Sequence, residues 1–165
     1  LCKALVRAVE VAVQRPLEIR WVRVTSATRM QAIVSGQADL ECGSTTSNLE
    51  RQKTVAFSPT IFVAGTRLLV RKGEGIRDWR DLAHKKVAVT AGTTNEQVMR
   101  NLSQRLKVPM TLLVAPDHAQ AFAEVDSGAA DAFATDDVLL YGLVAQTPGA
   151  ALRLAVVGEL LAYEP

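Results

Sequence analysis

The stretch ECGSTTSNLERQ, residues 41–52, gathers the residue types that hold a small anion. Gly43 lets the backbone approach closely, Ser44 and Thr46 add hydroxyls, and Arg51 offers a planar fork matched to a carboxylate. A helix starting here would add unpaired N–H groups and the positive end of its dipole. Ser47 and Glu50 have the spacing of a capping box, which would fix that start. An ordinary capped helix with a solvated arginine is the competing reading. Further along, TAGTTNEQV repeats the arrangement: Gly92, Thr93 and Thr94 precede a helix, with Thr93 and Glu96 again at capping-box spacing. Neither stretch carries G-x-x-x-x-G-K-[ST] or G-x-G-x-x-G, so the donors suit a small carboxylate better than a nucleotide.

Three further groups fall at the ends of expected strands or helices. His118 in VAPDHAQAF opens a helix after a strand, where a capping or surface role competes with ligand contact. Asp136 and Asp137 in ATDDVLLY can cap a helix, yet a carboxylate among hydroxyls and arginines is also what an ammonium group requires. Arg29 lies in the first turns of its helix, where a cation opposes the dipole, and so invites an external anion as partner.

The elements that must position these residues follow from periodicity. Residues 1–14 repeat apolar side chains at helical spacing, with Leu5, Val9, Ala12 and Val13 on one face, and Pro16 ends the run. LEIRWVRV alternates as a strand, with Leu17, Ile19 and Trp21 opposite Glu18, Arg20 and Arg23. SATRMQAIVSG reads as a helix capped by Ser26 and stopped at Gly36, ADLECGS as a short strand, and Asn48 to Val55 as the next helix. Then come a strand in TRLLVRKG, a helical turn in IRDWRDLAHKK and a strand in KVAVTA. Helix Asn95–Leu106, strand MTLLVA, helix DHAQAFAEVDSG, strand ADAFAT, helix DDVLLYGLVAQ and strand LRLAVVGE complete the pattern. Strands alternating with helices predict an α/β fold with largely parallel sheets. QAIVSGQADLECGS and AEVDSGAADAFATD share a helix, an S-G stop and a short strand, which points to two similarly built α/β lobes. S-G-x-A-D as a good helix-to-strand turn explains the local likeness equally well.

Composition narrows the function classes. The 165 residues are 48% hydrophobic and 22% charged with a net charge of +2, enough apolar material for a real core. Charges of both signs are interspersed without a basic block, which argues against nucleic acid as a partner. Apolar runs fall far short of the ~20 residues a membrane span needs. Cys2 and Cys42 have no CxxC or Cys/His spacing and read as free thiols, with a structural disulfide as the alternative. The chain opens inside a helix and closes as an extended segment starts, so both ends read as cut.

The run RMQAIVSGQADLECGSTTSNLERQKTVAFSPTIFVAGTRLLVRKG, followed by DLAHKKVAVTAGTTNEQ, PDHAQAFAEVDSGAADAFATDD and VVGELLAYEP, resembles the periplasmic amino-acid-binding proteins of bacterial ABC importers (solute-binding protein family 3). Within them it is most similar to the glutamate/aspartate-binding branch. The resemblance implies a two-lobed periplasmic-binding-protein type II fold with an incomplete first lobe: residues 1–66 in lobe I, 67–72 as the outward hinge strand, 73–157 in lobe II and 158–165 starting the return. It implies a periplasmic or lipid-anchored receptor that captures glutamate or aspartate and delivers it to the importer's membrane subunits, with no cofactor and no catalysis. By matching motif, Arg51 would clamp the ligand α-carboxylate, with the hydroxyls of Ser44, Thr46 and Thr94 at that end. Asp136 would take the α-ammonium, and Ser26, Arg29 and His118 the side-chain carboxylate. A further arginine that the glutamate/aspartate branch contributes from its first strand and loop has no counterpart here. Two alternatives share the fold: the sensing domain of a membrane receptor, and a dehydratase-like enzyme in which His118 is the only obvious general acid.

Overall fold

The computed structural model describes all residues 1–165. Helix α1 (Cys2–Val13) ends where Gln14 turns left-handed and donates its N–H to the Glu10 carbonyl. Its apolar stripe is not buried: no residue of α1 is, and Val9 is 42% exposed. What ties it down is a disulfide between Cys2 and Cys42, which replaces the expected pair of free thiols. Spacing gave no sign of it because the bond joins a helix start to a loop 40 residues away.

Residues 17–24 form no strand, because no neighbouring segment pairs with their backbone. The expected inward set holds only in part: Leu17 is half-buried and Glu18, Arg20 and Arg23 are exposed, but Trp21 is 64% exposed while Val22 and Val24 are half-buried. Helix α2 (Arg29–Val34) begins later than Ser26 suggests. Thr28 is its N-cap residue, and the Thr25 carbonyl accepts from the N–H groups of both Thr28 and Arg29. No strand forms over residues 38–44. Helix α3 (Leu49–Gln52) is a single turn capped by Asn48, whose side chain accepts from the Arg51 N–H at 2.9 Å. Ser47 is therefore not the cap; its hydroxyl accepts from Gln52 instead, and Glu50 pairs with Lys53.

From Ala64 onward the chain builds one six-stranded sheet. Strand β1 (Ala64–Arg71) leads through a 3₁₀ turn (Trp79–Leu82) to β2 (Lys86–Thr90), α4 (Thr94–Arg105), β3 (Thr111–Ala115), α5 (His118–Ser127) and β4 (Ala132–Asp136). Helices α6 (Asp137–Gln146) and α7 (Ala150–Arg153), then β5 (Leu154–Val157) and β6 (Tyr163–Glu164), complete it. The strand order is β3-β2-β4-β1-β5, with β6 paired to the start of β1. The β2 pairings with β3 and β4 are parallel, whereas β1 runs antiparallel to β4, β5 and β6. The sheet is thus mixed: only the strands joined by crossover helices α4 and α5 obey the parallel expectation. Helix α7 breaks the expected loop before β5.

Alternation along the strands feeds two cores. Leu69, Ala88 and Phe133 pack on one face with Ala121, Phe122 and Val125 of α5, Leu140 of α6 and Ala150 of α7. Leu68, Val70, Val87, Val89, Ala132 and Ala134 pack on the other with Met99 of α4 and Leu82. The internal echo survives in part: Gly36 and Gly128 both turn left-handed (φ 71° and 88°), but only the second copy continues into a strand.

Candidate functional site

The carboxyl ends of the parallel strands converge on one cleft, the place where open α/β sheets hold ligands. Thr90 ends β2, Asp136 ends β4, and α4 and α5 start there with Thr94 and His118. Residues 25–51 close over this edge from the other side. Arg29, Ser44, Thr46, Thr94, His118 and Asp136 line one small cavity, together with Thr93, Asn95 and Leu139. Six of the eight residues singled out by sequence therefore meet in one place. Arg51 lies beside that cavity: its Nη1 donates to the Thr46 carbonyl at 2.9 Å and its Nη2 to the Gly92 carbonyl at 3.2 Å. These two bonds tie one wall of the cleft to the other and leave the remaining N–H groups of the guanidinium uncommitted. Ser26 does not line the cavity; it is half-buried in the turn before α2.

The helix start at α4 matches half of its sequence signature: Thr93 is the cap, but Glu96 reaches one residue further back than a capping box requires. Thr93 caps it, accepting from the Glu96 N–H at 3.1 Å, and the Glu96 carboxylate reaches back to the Gly92 N–H at 3.0 Å. Gly92 adopts φ 73°, and a Cβ there would come within 2.6 Å of the Ala27 Cα. The close approach of the two walls requires glycine at this point.

Electrostatically the cavity is unsettled. Arg29 is only 6% exposed, and its Nε is buried without a hydrogen-bond partner. Burial pulls its pKa below the ordinary guanidinium value; Glu41 and Asp136 oppose that shift and the nearby Arg51 adds to it. Arg51 is shifted the same way, by burial first, against the attraction of Glu164 and Glu41. Burial likewise lowers the His118 pKa, with Arg29 adding to the effect, so a neutral imidazole is favoured; its Nδ1 lies 2.8 Å from Thr90 Oγ1. Asp136 is raised, chiefly by burial, with Glu164 and Asp137 contributing and Asn95 and Arg29 opposing. One buried and one half-buried guanidinium, a neutral imidazole and a destabilised carboxylate form an arrangement that an external zwitterion with an extra carboxylate would relieve.

Residues 4–138 match the family model of bacterial extracellular solute-binding proteins, family 3. The chain belongs to this family. It is 47% identical over 140 residues to a glutamate/aspartate import solute-binding protein of Salmonella typhimurium, covering 84% of this chain and 46% of that protein. It is 46% identical over 143 residues to an L-glutamate/L-aspartate-binding protein of Pseudomonas aeruginosa, covering 86% and 47%. The chain thus spans about half the length of these relatives. Among solved structures it superposes on an ancestral arginine-binding protein bound to glutamine with a TM-score of 0.80 at 31% identity, covering 98% of this chain and 68% of that one. Holo ArgBP from T. maritima gives a TM-score of 0.80 at 27% identity, covering 95% and 66%. No helix is long and apolar enough to cross a membrane.

For a family 3 solute-binding chain, three buried polar residues at the cleft escaped the sequence reading. Glu164 accepts hydrogen bonds from Thr46, Thr94 and Thr66 at 2.7, 2.6 and 3.2 Å. Asn95 Nδ2 donates to Thr66 Oγ1 at 2.9 Å and to Asp136 Oδ1 at 3.0 Å, linking the two carboxylates through one amide. Asn95 follows Thr94 directly on α4, and its place in the first turn was the available signal. Thr66 reads as an ordinary β-branched strand residue and carries none.

Proposed function

We propose that this chain is the ligand-binding part of a receptor that captures glutamate or aspartate and hands it to the membrane subunits of an ABC importer, in the periplasm or anchored outside the cytoplasmic membrane. The carrying observation is the buried guanidinium of Arg29, its Nε unpartnered, in one cavity with Asp136 and His118 and beside Arg51. The names of the relatives at 46–47% identity agree with an acidic amino acid as cargo. In this reading Arg51 takes the ligand α-carboxylate and Asp136 the α-ammonium. Arg29 and His118 take the side-chain carboxylate, with Ser26 supporting from the turn before α2, while Ser44, Thr46 and Thr94 line the amino-acid end. Residues 1–66 form part of one lobe, 67–72 the outward crossing, 73–157 the second lobe and 158–165 the return. Contacts from both sides of the cleft mean that ligand favours the closed arrangement.

Calorimetric titration of the intact protein with L-glutamate tests the site. Hydrogen bonds between charged groups are worth about 1.5–3 kcal/mol each, so losing a bidentate clamp weakens binding by about 100-fold or more. Arg51→Ala is expected to show that loss. Wild-type affinity in the variant would sink the assignment.

A further inference from the structure

Glu164 is 6% exposed and stands on β6, where it pairs with Ala64 at the start of β1. Its Oε2 is held by two hydroxyls from opposite walls of the cleft: Thr46 Oγ1 at 2.7 Å and Thr94 Oγ1 at 2.6 Å. Thr66 Oγ1 holds the other oxygen at 3.2 Å. No arginine or lysine forms an ion pair with it. A threonine hydroxyl has one proton and two lone pairs. Once that proton is given to a carboxylate, the oxygen can only accept. Thr46 Oγ1 and Thr94 Oγ1 stand 3.3 Å apart with both protons directed at the same Glu164 oxygen, so neither can satisfy the other.

We infer that Glu164 is a positioning residue: it fixes the proton direction of Thr46 and Thr94 and so turns both hydroxyls into acceptors for the ligand's ammonium group. The inference rests on the proposed amino-acid site and deepens it. Both threonines line the same cavity as Asp136, whose Oδ1 accepts from Asn95 and whose Oδ2 is left for the ligand. Two hydroxyl oxygens and one carboxylate oxygen offer three acceptors to a group with three N–H donors. A carboxylate placed against the same oxygens would meet lone pairs. The α-carboxylate is thereby directed to Arg51, and the hydroxyls of Thr46 and Thr94 belong to the ammonium end rather than to the α-carboxylate end that the family resemblance implies. The acceptor pair also exists only when both walls reach one carboxylate, so Glu164 couples recognition of the amine to closure.

The test compares L-glutamate with glutarate, which keeps both carboxylates and lacks the amine, by calorimetry on the intact protein and on Glu164→Gln. A glutamine amide donates to one threonine and frees that hydroxyl's proton to turn toward the cavity. The expected result is a loss of glutamate affinity of about 10- to 100-fold, the cost of misdirected hydrogen bonds to a charged group, with glutarate affinity unchanged or improved. An equal loss for both ligands would mark Glu164 as merely structural and overturn the inference, as would unchanged glutamate binding. Failure of the unmodified protein to bind glutamate overturns the receptor reading and this inference with it, which separates the two. Should Glu164→Gln not fold by circular dichroism, Thr94→Val carries the test with Glu164 intact: selective loss of glutamate supports the role, and an equal loss for both ligands refutes it.

Discussion

Residues 1–63 and residues 64–165 are held together by different physics. Of the 33 buried residues, only Arg29, Ala32 and Thr46 precede Ala64. Two of those three are polar and line the cleft. Every strand pairing lies after residue 63, and both hydrophobic clusters lie wholly within that part. The later region is a scaffold whose stability comes from apolar burial and a continuous hydrogen-bond ladder. The earlier one is a polar cover, fastened by a disulfide, by the Arg51 bonds to Gly92 and Thr46, and by the Glu164 hydroxyl cluster.

Removing a large side chain from each region is the coarsest way to break this contrast. Phe133 is fully buried against Leu69 and Phe122, and Phe133→Ala is expected to cost about 3–5 kcal/mol in urea unfolding. Trp21 is 64% exposed, and Trp21→Ala is expected to shift stability by about 0.5 kcal/mol or less. Comparable losses at the two sites would mean that residues 17–24 belong to a core after all.

The disulfide sharpens the same contrast. Cys2 and Cys42 are separated by 40 positions, a loop for which chain-entropy arguments give a few kcal/mol, about 2–4. Cys2→Ser with Cys42→Ser should therefore raise amide hydrogen exchange through residues 1–63 while leaving the strands β1 to β4 protected. Uniform deprotection across the whole chain would show one cooperative unit instead.

At Gly92 the two regions touch through backbone. Gly92→Ala places a Cβ within 2.6 Å of Ala27 in a left-handed conformation that costs an L-residue about 1–2 kcal/mol. The expected result is a modest fall in melting temperature with a larger fall in glutamate affinity, because the walls are pushed apart at the Arg51 bond. Loss of stability without loss of affinity would count against closure through this contact.

How much of this was legible follows from where each element gets its stability. Residues 64–157 read well because β1, β2, β4 and the helices between them carry their own periodicity and bury it locally. LEIRWVRV misled because alternation predicts a strand only where a partner exists to pair with it, and none does here. α3 was placed but its cap was not: Ser47 and Asn48 both satisfy the preference for a polar cap, and geometry selected the second. Most cleft residues were found because hydroxyls, Arg51 and Asp136 fall at element ends. Glu164 was missed because a two-residue strand has no period, and its meaning lies in three threonines far apart in sequence. The disulfide stood only as the alternative to free thiols, because two cysteines 40 positions apart carry no spacing signal that favours pairing.

The smallest predicted effect is a pH dependence at Asp136. Burial raises its pKa above the ordinary carboxylate value, with Glu164 and Asp137 adding and Asn95 and Arg29 opposing. In the unliganded protein the folded state therefore holds this proton more tightly than the unfolded chain does. Its contribution to stability is fully present below the ordinary carboxylate range and is lost as pH rises through the raised value. At the proposed site a bound ammonium would reverse the preference, because it pairs only with the ionised form. Glutamate affinity should rise over the same window in which unliganded stability falls, and binding should release a proton, seen as a buffer-dependent calorimetric enthalpy. Each unit of pKa change on binding is worth about 1.4 kcal/mol. Because glutamate's own side chain titrates nearby, the informative quantity is the difference between the wild type and Asp136→Asn. That substitution should remove the protein's share of the released proton and flatten the stability slope. Proton release that persists unchanged in Asp136→Asn would assign the titration to another group and separate Asp136 from the ammonium.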